Sequence, residues 1–353
     1  MTNPKKIAIV IALVLIIFSI SSTAFAMDMR ADIDGNGEIT SADAVYLLRH
    51  VLMPESYPSA NSTDVDGDGI ETSADAIYLF RHMISPEQYP IKTEPLRYSH
   101  FSIDDFYLAF EDLTVNKDTY TSIFDNETFA WLKEFHEATG ATVSCYCFYQ
   151  NSDASFTLDM VPSKYAEEFK ANQDWLRFGF HALKSGINYA SASSDAAKED
   201  YEKTINALLK ITGSPECIDR MPRLHNFAGS LEACKGMKTA VCGPIGFLAA
   251  ISATDGTARQ SYYLNQTDNQ YIFTHDYLYD EEHHFHFVRT QNGSTLFHID
   301  KLVQSEEYAD LNTYVEFFTH ENQLTSGTKS SFKNAYNKLK KTHKPVFWMD
   351  IFE

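Results

Sequence analysis

Basic side chains are scarce in this chain. Lys and Arg number 29 against 48 Asp and Glu over 353 residues, a formal net charge of −19. That balance excludes nucleic acid as a partner, because phosphate recognition needs a positive face. Cysteine is missing from the first 144 residues. The five that follow, Cys145, Cys147, Cys217, Cys234 and Cys242, fit no metal-knuckle spacing, and their odd number excludes complete pairing. Cys145 and Cys147 lie two apart on a predicted strand, so they share a face and do not bridge each other. The five read mostly as buried thiols, with a Cys217–Cys234 bridge left open. Long apolar runs are absent after residue 20. The single run, Ile7 to Ile20, is short for a membrane span. It follows Lys5 and Lys6 and precedes Ala24-Phe25-Ala26, the pattern of a signal peptide over residues 1–26. The mature protein is therefore expected to be secreted, with no membrane span after signal cleavage.

What the chain has instead is a repeat. Asp32-Ile-Asp34-Gly-Asn36-Gly-Glu38-Ile-Thr40-Ser-Ala-Asp43 returns 32 residues later as Asp64-Val-Asp66-Gly-Asp68-Gly-Ile70-Glu-Thr72-Ser-Ala-Asp75. Oxygen side chains fall at positions 1, 3, 5, 9 and 12 of each, with Gly at position 6 where the chain turns sharply. This spacing lets one tight loop gather six or seven oxygens around a hard cation. It is the EF-hand loop with Asp for Glu at position 12. Each copy runs into the same helix-like stretch, Ala44 to His50 and Ala76 to His82. The copies differ at position 8, where Ile39 is answered by Glu71.

Paired loops of this kind, each with one following helix, resemble a type I dockerin. The resemblance implies a small all-α module with two EF-hand-like loops over residues 27–86, binding two Ca2+. Its ligands would be Asp32, Asp34, Asn36, Glu38, Thr40 and Asp43 in one loop, and Asp64, Asp66, Asp68, Ile70, Thr72 and Asp75 in the other. Glu38 and Ile70 would contribute backbone carbonyls. It further implies a partner, the cohesin module of a scaffoldin, met by Ser41, Ala42, Leu48 and Arg49 or by the equivalent Ser73, Ala74, Phe80 and Arg81. A secreted, cellulosome-type setting follows from the same resemblance.

Residues 87–96, with Pro90 and Pro95, read as a short stiff linker. The remaining 97–353 suffice for one large domain. Strand-like and helix-like segments alternate there. Arg97–Phe106, Ala141–Tyr149, Leu176–Leu183, Arg223–Phe227, Gly246–Ser252, His283–Thr290, Thr313–His320 and Lys344–Met349 are predicted strands. Asn126–Thr139, Val161–Asn172, Ser193–Thr212 and Ser330–Lys341 are predicted helices. Alternation on this scale predicts an α/β fold, a closed or nearly closed (β/α) barrel with its chemistry at the C-terminal strand ends. Asp104-Asp105, His181, His225 and His320-Glu321 all lie late in their strands. Polar residues ending apolar strands need a reason to be there.

Phe101-Ser-Ile-Asp104-Asp105, Gly179-Phe180-His181 and Thr319-His320 resemble motifs of the polysaccharide deacetylases. The resemblance implies a distorted barrel of that type and a metal-dependent carbohydrate esterase acting on a polysaccharide. Asp105 and His181 would hold one divalent transition metal, Zn2+ by preference. Asp104 would accept a proton from water, and His320 would give one to the leaving group. The family's second metal histidine falls at Ser185 here. Strand order makes His225 the replacement. Two rivals remain open. One is a glycoside hydrolase on the same barrel, pairing Asp104 with Glu321. The other is a degenerate barrel that only binds carbohydrate, with Ser185 marking a lost metal site. Glu281-Glu-His283-His284-Phe-His286 reads as a wet loop entering an edge strand, although His284 and His286 could share a face and a metal.

Overall fold

A computed structural model describes residues 31–36, 38–59, 63–67, 71–92, 97–250, 261–292, 314–340 and 343–352. The signal-peptide segment, Asp68 and Ile70 lie outside the described residues. The chain divides into two compact units, Met1–Leu96 and Arg97–Glu353.

In the first unit each repeat builds one helix, α1 (Ser41–Leu52) and α2 (Ser73–Ile84). Thr40 and Thr72 cap them. The cap hydroxyls accept from Ala42 and Ala74 N–H, both at 3.1 Å. Asp43 and Asp75 complete the capping boxes from three residues in. The same two carboxylates also accept the N–H of Ile33 and Val65, each at 2.9 Å. The last position of each loop thus ties the loop to its helix. Ala31, Ile33, Ile39, Ala44 and Leu47 bury themselves against Val65, Ala76, Leu79 and Ile91. Position 8 of the second loop, lacking an apolar residue, finds a different partner: Glu71 pairs with His50 Nε2 at 2.9 Å.

Residues 87–92 fold back onto the first unit. Tyr89 N–H donates to Ser85 O, Lys92 N–H donates to Val65 O, and Ile91 is buried. The reason is that the repeat extends past its helix. Pro54-Glu-Ser-Tyr57-Pro58 and Pro86-Glu-Gln-Tyr89-Pro90 are further copies. Tyr57 and Tyr89 carbonyls face His50 and His82 Nδ1 at 2.6 and 2.7 Å, and their rings sit under Arg49 and Arg81.

The second unit holds β1 (Arg97–Phe106), β2 (Val143–Phe148), β3 (Leu176–Ala182), β4 (Gly246–Ala249), β5 (Tyr277–Asp280), β6 (Phe285–Asn292), β7 (Tyr314–His320) and β8 (His343–Pro345). The strand order is β3-β2-β1-β7-β6-β4, parallel throughout, with β5 antiparallel to β6 and β8 parallel to the start of β1. The segment 218–224 closes the gap between β3 and β4. Asp219 N–H donates to Phe178 O on one side, while Ile245 and Leu248 N–H donate to Arg220 and Pro222 O on the other. The result is a distorted (β/α) barrel.

Its helices are α3 (Leu108–Val115), α4 (Glu127–Thr139), α5 (Ala166–Ala171), α6 (Ser194–Thr212), α7 (Leu231–Lys238), α8 (Gln266–His275), α9 (Ser326–Leu339) and α10 (Met349–Phe352). The α4 helix starts at the Asn126 cap and stops at Gly140, where φ is +76°; only a residue without a side chain takes that turn cheaply.

Strand β1 sorts its residues by period two. Phe101 packs outward against Phe135 of α4 and Phe332 of α9, with ring centroids 5.3 and 4.5 Å away. His100, Ser102 and Asp104 alternate with it and meet polar partners inside the barrel. All five cysteines are free thiols, four of them buried.

Two predicted elements differ, and one strand is new. Arg223–Phe227 is not a strand but extended chain ending in a 3-10 turn, His225–Phe227, with Asn226 and Phe227 at positive φ. Lys344–Met349 splits into the short β8 and α10. Strand β5 and its turn into β6 went unpredicted, because Tyr277–Asp280 is short and half-exposed.

Candidate active site

Asp104 and Asp105 reach one site because β1 breaks its own regularity. Asp104 keeps the strand alternation and points inward. At Asp105 the backbone φ is +57°, and the pairing with β2 shifts register between Ile103 and Phe106. Such a bulge re-aims a side chain. A left-handed non-glycine residue costs roughly 1–2 kcal/mol, so the surroundings must hold it there.

His181, from the end of β3, and His225, from the turn after the closing segment, meet Asp105. One ligand atom from each of the three lies within 4.8 Å of the others. His181 Nδ1 lies 2.6 Å from Arg223 O, and His225 Nδ1 lies 2.8 Å from Ile187 O. A carbonyl only accepts, so each Nδ1 carries a proton and Nε2 is the nitrogen each ring has left for a ligand. Phe148 flanks both rings at 5.2 and 5.6 Å. His181 Nε2 is 3.2 Å from Asp105 Oδ1, an oxygen that is buried and has no hydrogen-bond partner. A proton on Nε2 or a cation between the two atoms would satisfy that contact. One carboxylate oxygen and two imidazole nitrogens form a donor set that suits a divalent transition metal.

Electrostatics agree. Burial opposes the charge on Asp105, but His181, His320 and His225 outweigh it and hold its carboxyl below the usual range. Burial also opposes the imidazolium of His181, and the Asp104 and Asp105 carboxylates outweigh that in turn, raising its pKa. His320 ends β7 opposite Asp104 in the strand register. Ser185 is exposed in the loop after β3 and belongs to no ligand cluster among the described residues.

Below the rim lies a buried polar network. Arg223 crosses the barrel to Asp104 Oδ1 at 2.7 Å, Ser102 Oγ at 2.9 Å and Glu316 Oε1 at 2.9 Å. Glu316 also accepts from Ser102 and Trp348, and pairs with His100 at 2.6 Å. His100 continues to Ser144, which donates to Asp219. Burial alone would raise the Glu316 carboxyl, yet His100 and Arg223 hold it low. Sequence reasoning gave Arg223 and Glu316 no role. Their signal was faint: one arginine and one glutamate inside apolar strand-like runs.

Glu321 is also buried. Its two oxygens accept the N–H of Tyr107 and Leu108, at 2.8 and 2.7 Å, and of Ala109 at 2.7 Å. Burial pushes its pKa up to about 7 against these bonds, but both oxygens only accept, as a carboxylate does. The histidines of residues 283–286 form no ligand cluster among the described residues. His283 pairs with Asp280, His284 sits in the turn at positive φ beside Tyr279, and His286 contacts Tyr277.

In the first unit Asp32, Asp34 and Asp43 form one acidic cluster, and Asp64, Asp66 and Asp75 form another. Asn36 and Glu38 lie beside the first: Glu38 N–H donates to Asn36 Oδ1 at 2.8 Å. Thr40 and Thr72 are engaged as helix caps. Ser41, Ala42, Leu48 and Arg49 are exposed, as are Ser73, Ala74, Phe80 and Arg81.

Residues 30–84 match the family described as dockerin type I domain. A search of curated proteins found no match. Among solved structures, a CE4 family pseudoenzyme from Bacillus anthracis is 10% identical with a TM-score of 0.38, over 74% of this chain and 67% of that one. A family 4 acetyl xylan esterase from Clostridium thermocellum, in complex with a cobalt ion, is 11% identical with a TM-score of 0.38, over 72% of this chain and 90% of that one. At such low scores the reading of the barrel rests on its own side chains.

Proposed function

We propose that this chain, whose residues 30–84 match the type I dockerin domain, is a secreted carbohydrate deacetylase tethered to a cohesin-bearing scaffold. The observation that carries the enzymatic part is the convergence of His181 and His225 on Asp105, one ligand atom of each within 4.8 Å of the others. These three would hold a divalent metal, Zn2+ by preference. When bound, such an ion supplies Lewis acidity toward an acyl carbonyl and toward water.

The protein's own groups supply the rest. Arg223 takes Oδ1 of Asp104, and no described residue hydrogen-bonds to Oδ2. That oxygen would accept a proton from attacking water. His320, beyond it on the adjacent strand, would return a proton to the departing sugar hydroxyl or amine. A cavity of about 390 Å³ is lined by Asn226, the residue after His225, with Phe227, Ser230, Tyr262 and Tyr263, and is of a size for sugar units.

The glycosidase rival loses its second carboxylate, because both oxygens of Glu321 are occupied by backbone N–H groups. The binding-only rival rests on Ser185; the approach of His225 to Asp105 and His181 supports the metal reading over it. Incubation of the zinc-loaded chain with acetylated xylan and chitin oligomers is expected to release acetate without new reducing ends. New reducing ends without acetate would overturn the esterase reading; binding without either product would support the non-catalytic one.

For the first unit, the two acidic clusters would take one Ca2+ each, with Asn36, Glu38, Thr40, Asp68, Ile70 and Thr72 completing the shells. Ser41, Ala42, Leu48 and Arg49, or Ser73, Ala74, Phe80 and Arg81, would meet the cohesin. Carboxylates gathered this closely repel one another until a cation sits among them, so folding and calcium binding are coupled. Calcium removal from the full chain with EGTA is expected to abolish hydrogen-exchange protection in α1 and α2, and Ca2+ but not Zn2+ should restore it. Protection unchanged by EGTA would count against the calcium sites.

A further inference from the structure

The left-handed Asp105 needs an anchor, and the structure contains one that the proposed chemistry does not use. We propose that Glu321 is a positioning residue: by gathering the N–H groups of Tyr107, Leu108 and Ala109 it holds the chain just past Asp105, so that the Asp105 carboxylate faces His181 and His225. The inference rests on the metal reading above but adds a residue to it.

Three observations carry it. Asp105 has φ +57° inside a register shift that ends at Phe106, and the N–H groups that Glu321 binds begin at the next residue. All three bonds are 2.7–2.8 Å and the carboxylate is buried, so water cannot replace it. Glu321 also directly follows His320, which pairs in register with Asp104. One end of β7 therefore fixes both the candidate proton donor and the turn that aims the candidate ligand. The N-cap residue of α3, Tyr107, offers no side-chain cap. Glu321 fills that place from the 3-10 turn that follows β7, 212–214 residues away in sequence.

Co2+ uptake by the full-length protein, followed by its visible absorption, tests the idea. In Glu321→Gln the amide NH2 must face a backbone N–H. That variant is expected to bind Co2+ about 10–100-fold more weakly, the usual size of an effect transmitted through a ligand's support. In an Asp105→Ala background the same change should alter the remaining affinity by less than about twofold, because the residue it acts through is gone. Glu321→Asp, which keeps a carboxylate, should recover part of the loss and serves where Glu321→Gln does not fold. Equal losses in both backgrounds would show a general structural role and overturn the proposal, as would Glu321→Gln binding like the parent. A parent protein that takes up no Co2+ would instead sink the metal reading, and this inference with it.

Discussion

His225→Ala is expected to lower acetate release by on the order of 10²–10³-fold, from the several kcal/mol that a correctly held metal contributes to the transition state. The folded state should barely change, because His225 is only part-buried and its side chain meets just the Ile187 carbonyl and, at 3.4 Å, the Asn226 amide. The argument is geometric. With Nδ1 committed to a carbonyl, the ring has one use left for Nε2, and Asp105 and His181 converge on it. Ser185→Ala should be silent, since Ser185 stands exposed in the loop after β3. Acetate release with metal content measured on the same samples decides the matter. A His225→Ala variant with full metal and full activity would remove His225 from the site, and a strong effect of Ser185→Ala would move the third ligand there.

Arg223→Met should be the most destabilising single change in the barrel. Arg223 pairs with both Asp104 and Glu316, all three side chains being nearly inaccessible to water. Removing the cation leaves Asp104 without its buried ion-pair partner and Glu316 with His100 as its remaining cationic neighbour, a loss of about 3–5 kcal/mol. For a domain of this size that is a fall in Tm of roughly 6–20 °C. The pairing has a pH signature. Glu316 has its carboxyl held below its ordinary value of 4.5 in the native state, so its stabilising share is complete above that pH. The share is lost as the pH falls through the native value. Adding Asp104→Asn and Glu316→Gln to Arg223→Met should restore part of the stability, because the orphaned charges are then gone. Thermal unfolding of the single and triple variants measures both effects. A triple variant no more stable than Arg223→Met would mean that the cost lies in lost packing rather than in stranded charge.

Much of the first unit was legible because its constraints are local. A loop that gathers oxygens for one ion must space them within twelve residues, and the repeat of that spacing is visible in the letters. Even so, the stretch after the second helix, with Tyr89, reads from sequence as linker, and the matching turn at Tyr57 carries no role there. Their copies are short, and their role appears only when Tyr89 and Ile91 fold back onto the helix. In the barrel, the caps of α4 and α6 and the apolar runs of β2, β3 and β7 announced themselves. Strand β5 did not, since an exposed four-residue strand has neither length nor alternation to signal it.

The candidate site divides along the same line. The residue types Asp104, Asp105, His181, His225 and His320, and their places at the ends of predicted strands, can be read from the chain. Four matters belong to the tertiary structure alone. These are the bulge that swings Asp105 out of alternation, the carbonyls that fix both histidine tautomers, the guanidinium spanning the barrel, and the capture of Glu321 by three backbone N–H groups. Sequence by itself determined which side chains were available and which local elements carried them, because spacing, capping and hydrophobic period act over a few residues. Only the closed barrel decided which of them meet, because contacts between residues more than a hundred positions apart depend on how the strands pair and where that pairing slips.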